Sequence, residues 1–223
     1  MGRAPTRRPF PLAAVLRRLR RAMPGFDRTT LAEVSDHDDP FQLLCSCIIS
    51  LRTRDAVTAA ASARLFAVAT TPVALAALDE ATIARAIFPA GFYRTKARQL
   101  GEIARRLLTE HAGAVPRTLP SLLSLPGVGL KTANLVLGLG HGIPAICVDV
   151  HVHRIANRWG LVHTRSPDES EAALRAIVPR RNWIELNDLL VTWGQNVCLP
   201  RTPRCSRCAI SDACGRVGVT KSA

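Results

Sequence analysis

An all-α fold follows from three features of this 223-residue chain. Its apolar content of 48% is rich in alanine and leucine, with aromatics at only 4%, a mixture that packs helix on helix better than strand on strand. Helix punctuation recurs along the chain as Asp-Pro, Thr-Pro and Ser-Pro pairs at candidate starts and glycine at candidate ends. No stretch alternates apolar and polar residues over the length of a strand. The length suits one large domain or two small ones.

Each element can be read in order. Pro11 to Met23 sets Leu12, Val15, Leu16 and Leu19 against Arg17, Arg18, Arg20 and Arg21, the spacing of an amphipathic helix. Asp39-Pro40 opens an almost wholly apolar segment, Phe41 to Ile49, and a third helix is expected from about Arg54 to Val68. Thr71-Pro72 is a cap with a helix-starting proline, a short helix follows near Ala81 to Ile87, and Tyr93 to His111 is long, closing at Gly113. Past the glycine turn Pro126-Gly127-Val128-Gly129, Lys131 to Leu139 is helical, and Asp149 to Trp159 ends at Gly160. Ser166-Pro167-Asp168-Glu169 reads as a capping box for a helix to about Val178, and Asn182 to Gln195 is the last long helix. From Cys198 onward the chain is proline, arginine and cysteine, which only a bound metal would hold compact.

The formal net charge of +13 and pI near 10.8 call for a polyanionic partner, and nucleic acid leads because the cations are spread along the chain rather than gathered beside an anchor. No apolar run reaches the roughly 20 residues that cross a bilayer. The basic N-terminus has neither an apolar signal core nor a small-residue cleavage site. A cytoplasmic protein with reduced cysteines and no membrane partner is expected.

Of the 30 basic residues only three are lysine, and one, Lys131, stands just past the glycine turn. Arginine stays protonated, whereas a lysine can lose its proton and attack as an amine. The turn's glycines allow positive φ, and its free N–H groups with the next helix N-terminus suit a backbone phosphate, although an ordinary helix–helix turn has the same sequence. Asp149 directly precedes a helix and also suits an N-cap.

Four of the seven cysteines fall in one loop as Cys198-x6-Cys205-x2-Cys208-x5-Cys214. One close pair resembles a zinc half-site, while four thiolates at irregular spacing also suit an iron–sulfur cluster. Cys45, Cys47 and Cys147 lie in apolar company and are expected to pack as small hydrophobes. Arg201, Arg204 and Arg207, interleaved among the loop cysteines, either face phosphate or are solvated.

Taken together, the run Leu125-Pro126-Gly127-Val128-Gly129-Leu130-Lys131-Thr132-Ala133, then Val148-Asp149-Val150-His151, then the four spaced cysteines resembles the endonuclease III family of helix-hairpin-helix DNA glycosylases. Ser50 to Asp55 and Gly91 to Ala97 match family segments as well, so the likeness runs from about Leu16 to Cys214. The resemblance implies a two-lobed fold: a helical domain over residues 33–143 carrying the hairpin, and a discontinuous cluster domain of residues 1–32 and 144–223. It implies a monomer that removes oxidised pyrimidines from duplex DNA and cuts the abasic strand by β-elimination. A prokaryotic cytoplasm, at the nucleoid when DNA-bound, is the expected setting. Lys131 is the implied nucleophile and Asp149 its acid/base partner, facing one another across a cleft. A [4Fe-4S] cluster is implied on Cys198, Cys205, Cys208 and Cys214. Gly127, Val128 and Gly129 are implied DNA contacts, and Arg52, Phe92 and His151 are placed to fill the gap left by a flipped base.

Helix dipole and partial burial are expected to lower the proton affinity of Lys131. Three positions depart from the family pattern: Arg52 replaces a glutamine, which changes recognition of the orphan base because a guanidinium donates but cannot accept, while Val150 for a threonine and Leu123 for a glutamate make the pocket less polar. Rival readings are an adenine-removing monofunctional glycosylase, a non-catalytic cluster protein that binds DNA, and a zinc-bearing nucleic-acid module.

Overall fold

Short polar residues start six of the described helices. In the computed structural model, which describes residues 10–26 and 39–223, there are eleven α-helices and no strand among the described residues. They are α1 (Leu12–Ala22), α2 (Pro40–Ser50), α3 (Asp55–Phe66), α4 (Pro72–Ala76), α5 (Glu80–Ile87), α6 (Tyr93–Glu110), α7 (Leu119–Leu123), α8 (Leu130–Leu135), α9 (Val150–Trp159), α10 (Pro167–Ile177) and α11 (Trp183–Asn196). Asp39 Oδ1 accepts from the N–H groups of Phe41 at 2.9 Å and Gln42 at 3.2 Å, satisfying the orphan donors that open α2. Thr71, Asp79, Thr118 and Ser166 cap α4, α5, α7 and α10 in the same way.

Three local readings change. The Thr118 cap and the proline behind it start α7, a helix the sequence reading passed over because it is only five residues long. The helix expected from Lys131 to Leu139 is α-helical only to Leu135 and continues as a π-type turn over Val136–Gly140, where a Cβ on Gly140 would crowd Leu43 at 3.3 Å and Pro40 at 3.4 Å. The capping box at Ser166 is displaced: Ser166 accepts from Glu169 N–H at 3.2 Å, but the Glu169 carboxylate takes the N–H of Arg165 at 2.9 Å, a loop donor one residue before the cap.

The chain divides into two compact units, one holding described residues 39–147 and 180–184, the other 10–26, 148–179 and 185–223. Residues 1–9 of the basic N-terminal stretch and the expected boundary at 32/33 lie outside the described residues. At the centre of the first unit stands α2, whose residues Phe41 and Leu43 to Ile49 are all buried. A helix apolar on every side belongs inside a core, and α3, α6 and the π-type turn pack around it. Cys45, Cys47 and Cys147 join that core, and burial pushes the Cys47 thiol up to about 12.

In the second unit α1 lays Val15, Leu16 and Leu19 inward. Phe10 stacks on Trp159 at 5.3 Å, and Phe26 meets Trp193 edge-on at 5.8 Å. Part of the basic face of α1 is used internally, since Arg18 pairs with Asp212 at 2.7 Å and Arg20 pairs with Glu185. No helix among the described residues is long and apolar enough to cross a membrane.

Asp39→Ala should cost about 1 kcal/mol, the usual worth of an N-cap, and a urea melt should show it as a lower midpoint at unchanged slope.

Candidate functional site

The glycine turn is built against α6. Gly127 adopts a φ of +78°, open to glycine at little cost, and a Cβ there would lie 2.7 Å from the Gln99 amide. Arg106 on the same helix donates to Ser124 O at 2.5 Å, fastening the chain as it enters the turn. Val128 is buried and its N–H returns to Leu125 O at 3.2 Å, so the turn's outward amides are those of its neighbours. Gly129 is the N-cap of α8, with no side-chain cap. The first helical bond runs from Ala133 N–H to Gly129 O at 2.9 Å, so the amides of Leu130, Lys131 and Thr132 precede it and point outward from the helix start.

Lys131 sits in that first turn with an exposed side chain, while Thr132, Ala133 and Asn134 behind it are buried. Asn134 Nδ2 donates to Ile146 O at 2.9 Å, and the Cys147 thiol donates to Lys131 O at 3.5 Å, so the backbone under the amine is fixed from behind. The expected partial burial is absent: the Lys131 side chain is solvent-exposed in the free protein because it projects from the first turn while the core lies under its neighbours.

Asp149 belongs to the second unit, where it is the N-cap of α9. Its Oδ1 accepts both N–H groups, from His151 at 2.8 Å and Val152 at 2.9 Å, which leaves Oδ2 outside the cap. His151, half-buried, lies against Gly194, where a Cβ would come within 2.4 Å of its Nδ1. Arg154 reaches that Nδ1 at 3.2 Å, and since a guanidinium only donates, the ring proton stands on Nε2.

Arg52 and Phe92 come together in the first unit. Phe92 is 62% exposed and so no part of the core, and the Arg52 guanidinium lies 5.0 Å from its ring centroid. Both residues hold left-handed backbones, φ 54° and 57°. Beneath them is Lys96, 4% exposed, whose ammonium donates to Ile49 O at 2.7 Å, Leu51 O at 2.5 Å and Thr53 Oγ1 at 2.9 Å. Burial lowers its pKa to about 8. The sequence reading missed this second internal lysine, although the rarity of lysine that singled out Lys131 applies equally to it. Leu123 and Val150, the other departures from the family pattern, are exposed apolar side chains.

The four loop cysteines line one small cavity together with Arg158, Trp159, Trp193, Val197 and Ile210's neighbour Ser211. Among the described residues no three His, Cys, Asp or Glu side chains stand close enough to grip a single metal ion. Donors face the sulfurs: Arg158 Nη1 reaches Cys198 Sγ at 3.3 Å and Arg216 N–H reaches Cys214 Sγ at 3.4 Å. Trp193 Nε1, buried among them, has no oxygen or nitrogen acceptor. A cavity walled by thiols and N–H donors fits a multinuclear, sulfide-containing group, whose sulfurs accept such bonds. Burial pushes the Cys208 and Cys214 thiols up, so loading the site must displace their protons. Arg201 and Arg207 are exposed, and Arg204 reaches Asn196 O at 3.3 Å.

Residues 45–180 match the family model described as HhH-GPD superfamily base excision DNA repair protein. The chain is 45% identical over 176 residues to Endonuclease III of Thermotoga maritima, covering 79% of this chain and 83% of that one. It is similar to the protein in a solved non-covalent Endonuclease III–DNA complex, with a TM-score of 0.81 and 31% identity over 91% of this chain and 93% of that one. A trapped Endonuclease III–DNA covalent intermediate matches with a TM-score of 0.80 and 30% identity over the same shares.

The Lys96 ammonium gives a pH signature. Its folded pKa near 8 lies below the unfolded value near 10.5, so the unfolded chain binds more protons between those values and stability rises with pH across that window. Denaturant melts at pH 8 to 10.5 should show this rise in the wild type relative to Lys96→Met, in which the contribution is gone.

Proposed function

The chain belongs to the endonuclease III family of HhH-GPD base excision DNA repair proteins, and from that premise we propose that it is a bifunctional DNA glycosylase and AP lyase for oxidised pyrimidines in duplex DNA, with Lys131 as nucleophile and Asp149 as its acid/base partner. One observation carries the assignment of Lys131: an exposed amine on the first turn after the Gly127–Gly129 hairpin, in a chain whose cations are otherwise almost all arginine. The relative trapped as a covalent Endonuclease III–DNA intermediate supports a covalent route.

In this reading the amides of the hairpin and of the α8 start receive a backbone phosphate, holding the strand while Arg52, Phe92 and His151 occupy the space of the flipped nucleotide. Neutral Lys131 Nζ attacks the sugar C1′ as the C1′–N bond to the base breaks. Loss of the amine protons and opening of the sugar ring give a Schiff base, from which removal of a C2′ proton expels the 3′ phosphate. A bound duplex covers Lys131 and excludes water from the reacting atoms. Asp149 Oδ2, outside its helix cap, steadies positive charge on the sugar and relays protons.

Cys198, Cys205, Cys208 and Cys214 are the proposed ligands of a [4Fe-4S] cluster, which when bound cross-links the C-terminal loop and offers a one-electron centre. Arg158 and the Trp193 indole N–H would donate to its sulfurs, and the exposed Arg201 and Arg207 would face phosphate. The apolar Leu123 and Val150 narrow the lesions accepted to those that need few polar contacts. A prokaryotic cytoplasm is the proposed setting, with the monomer at the nucleoid.

Borohydride treatment with duplex DNA carrying an abasic site should trap a covalent adduct with the wild type and none with Lys131→Ala; a missing wild-type adduct, or an equal one from the variant, sinks the assignment of the nucleophile. Purified wild type should be brown, with broad visible absorption and about four iron and four sulfide per chain. Cys205→Ser should lose both the colour and the iron, and zinc in place of iron would refute the cluster.

A further inference from the structure

Arg52 and Phe92 come from separate loops, yet each holds a left-handed backbone, at φ 54° and 57°. Non-glycine residues seldom do so unless the surrounding structure over-determines them. Each is the third residue of a turn closed by a backbone bond, Thr53 N–H to Ser50 O at 3.0 Å and Tyr93 N–H to Ala90 O at 3.1 Å, and a single hydroxyl ties the two turns together. Thr53 Oγ1 accepts from Lys96 Nζ at 2.9 Å and from Gly91 N–H at 3.0 Å, and donates to Leu51 O at 3.3 Å. Its three bonds therefore join the residue after Arg52 to the residue before Phe92. The two backbones also touch there, since a Cβ on Gly91 would lie 2.5 Å from Arg52 O.

Lys96 completes the junction by spending its other two N–H bonds on Ile49 O and Leu51 O at the end of α2. A compact ammonium can serve three acceptors in a buried corner, where the flat fork of a guanidinium would not fit. Above the clamp, the Arg52 guanidinium lies over the exposed Phe92 ring at 5.0 Å, so the clamp fixes both ends of that pair.

We infer that Lys96, acting through Thr53 and Gly91, is the positioning residue that holds Arg52 and Phe92 as one preassembled wedge and thereby sets selectivity for the base opposite the lesion. This rests on the gap-filling reading of Arg52 and Phe92. A wedge ordered before DNA arrives loses little rotamer freedom on entering the stack. Its guanidinium, held over the ring, aims donors in one direction, so opposite bases differ in how well their acceptors meet them.

Single-turnover excision of an oxidised pyrimidine placed opposite each of the four bases tests this, with Thr53→Val as the main variant and Thr53→Ser as its conservative counterpart. Thr53→Val should slow excision about tenfold, the scale of a small misplacement, and level the differences among opposite bases, with Thr53→Ser restoring both. A 2-aminopurine opposite the lesion should report altered stacking at the gap. Borohydride trapping on a single-stranded abasic oligonucleotide, which has no gap to fill, should stay at the wild-type level. Lys96→Met should match Thr53→Val wherever it folds.

Once Arg52→Ala or Phe92→Ala is present, adding Thr53→Val should cost less than about twofold, because coupled groups are not additive. An equal loss in both backgrounds, or a parallel loss of single-strand trapping, overturns the inference while leaving the gap reading intact. Wild-type rates for Arg52→Ala and Phe92→Ala overturn the gap reading itself.

Discussion

A helix buried on every side cannot leave its carbonyl end to water, and much of the hairpin unit follows from meeting that requirement for α2. Leu43 to Ile49 are all buried, so α2 ends inside the unit. Its terminal carbonyls are met by the Lys96 ammonium, a cation placed where the helix dipole favours one. Because the same ammonium also bonds Thr53, satisfying a core helix simultaneously shapes an exposed loop. Core and surface are thus linked through one nitrogen.

The glycine turn depends on α6 in a comparable way. Gln99 abuts Gly127 and Arg106 holds Ser124, so a turn that must expose its amides is braced from the opposite side. Exposed donors are useful to a polyanion only when they are already aimed, since ordering them at the moment of binding costs conformational entropy. Asp149 shows the same economy in the second unit, where one carboxylate oxygen caps α9 and the other is outside the cap.

Charge is distributed with a similar division. Arginines on α1 are partly consumed by Asp212 and Glu185, and Arg154 and Arg158 turn inward to the carbonyls of Gly194, Cys198, Leu199 and Pro200. The net charge of +13 already counts these carboxylates, so the packing decides where the positive field lies rather than how large it is. The inward arginines hold the cysteine loop, which has no regular helix of its own beyond the short 3-10 turn Cys205–Arg207.

Helix positions, the glycine hairpin, the isolated Lys131 and the cysteine spacing were legible in the sequence because each is a local pattern: a cap within one turn, a breaker between two apolar runs, a rare residue type, a ligand interval. The π-type turn, the Glu169 carboxylate's choice of the Arg165 N–H and the short α7 were not, since they are decided by neighbours or by a few residues with little periodicity. Exposure separated the two internal lysines. The sequence marks Lys96 and Lys131 as equally unusual, and only tertiary packing buries the first beneath α2 while leaving the second in solvent. Residue type and spacing determined which chemistry this chain can perform; the contacts of α2 and α6 decided which amine is structural and which is exposed, because burial and hydrogen-bond partners are set by residues distant in the chain.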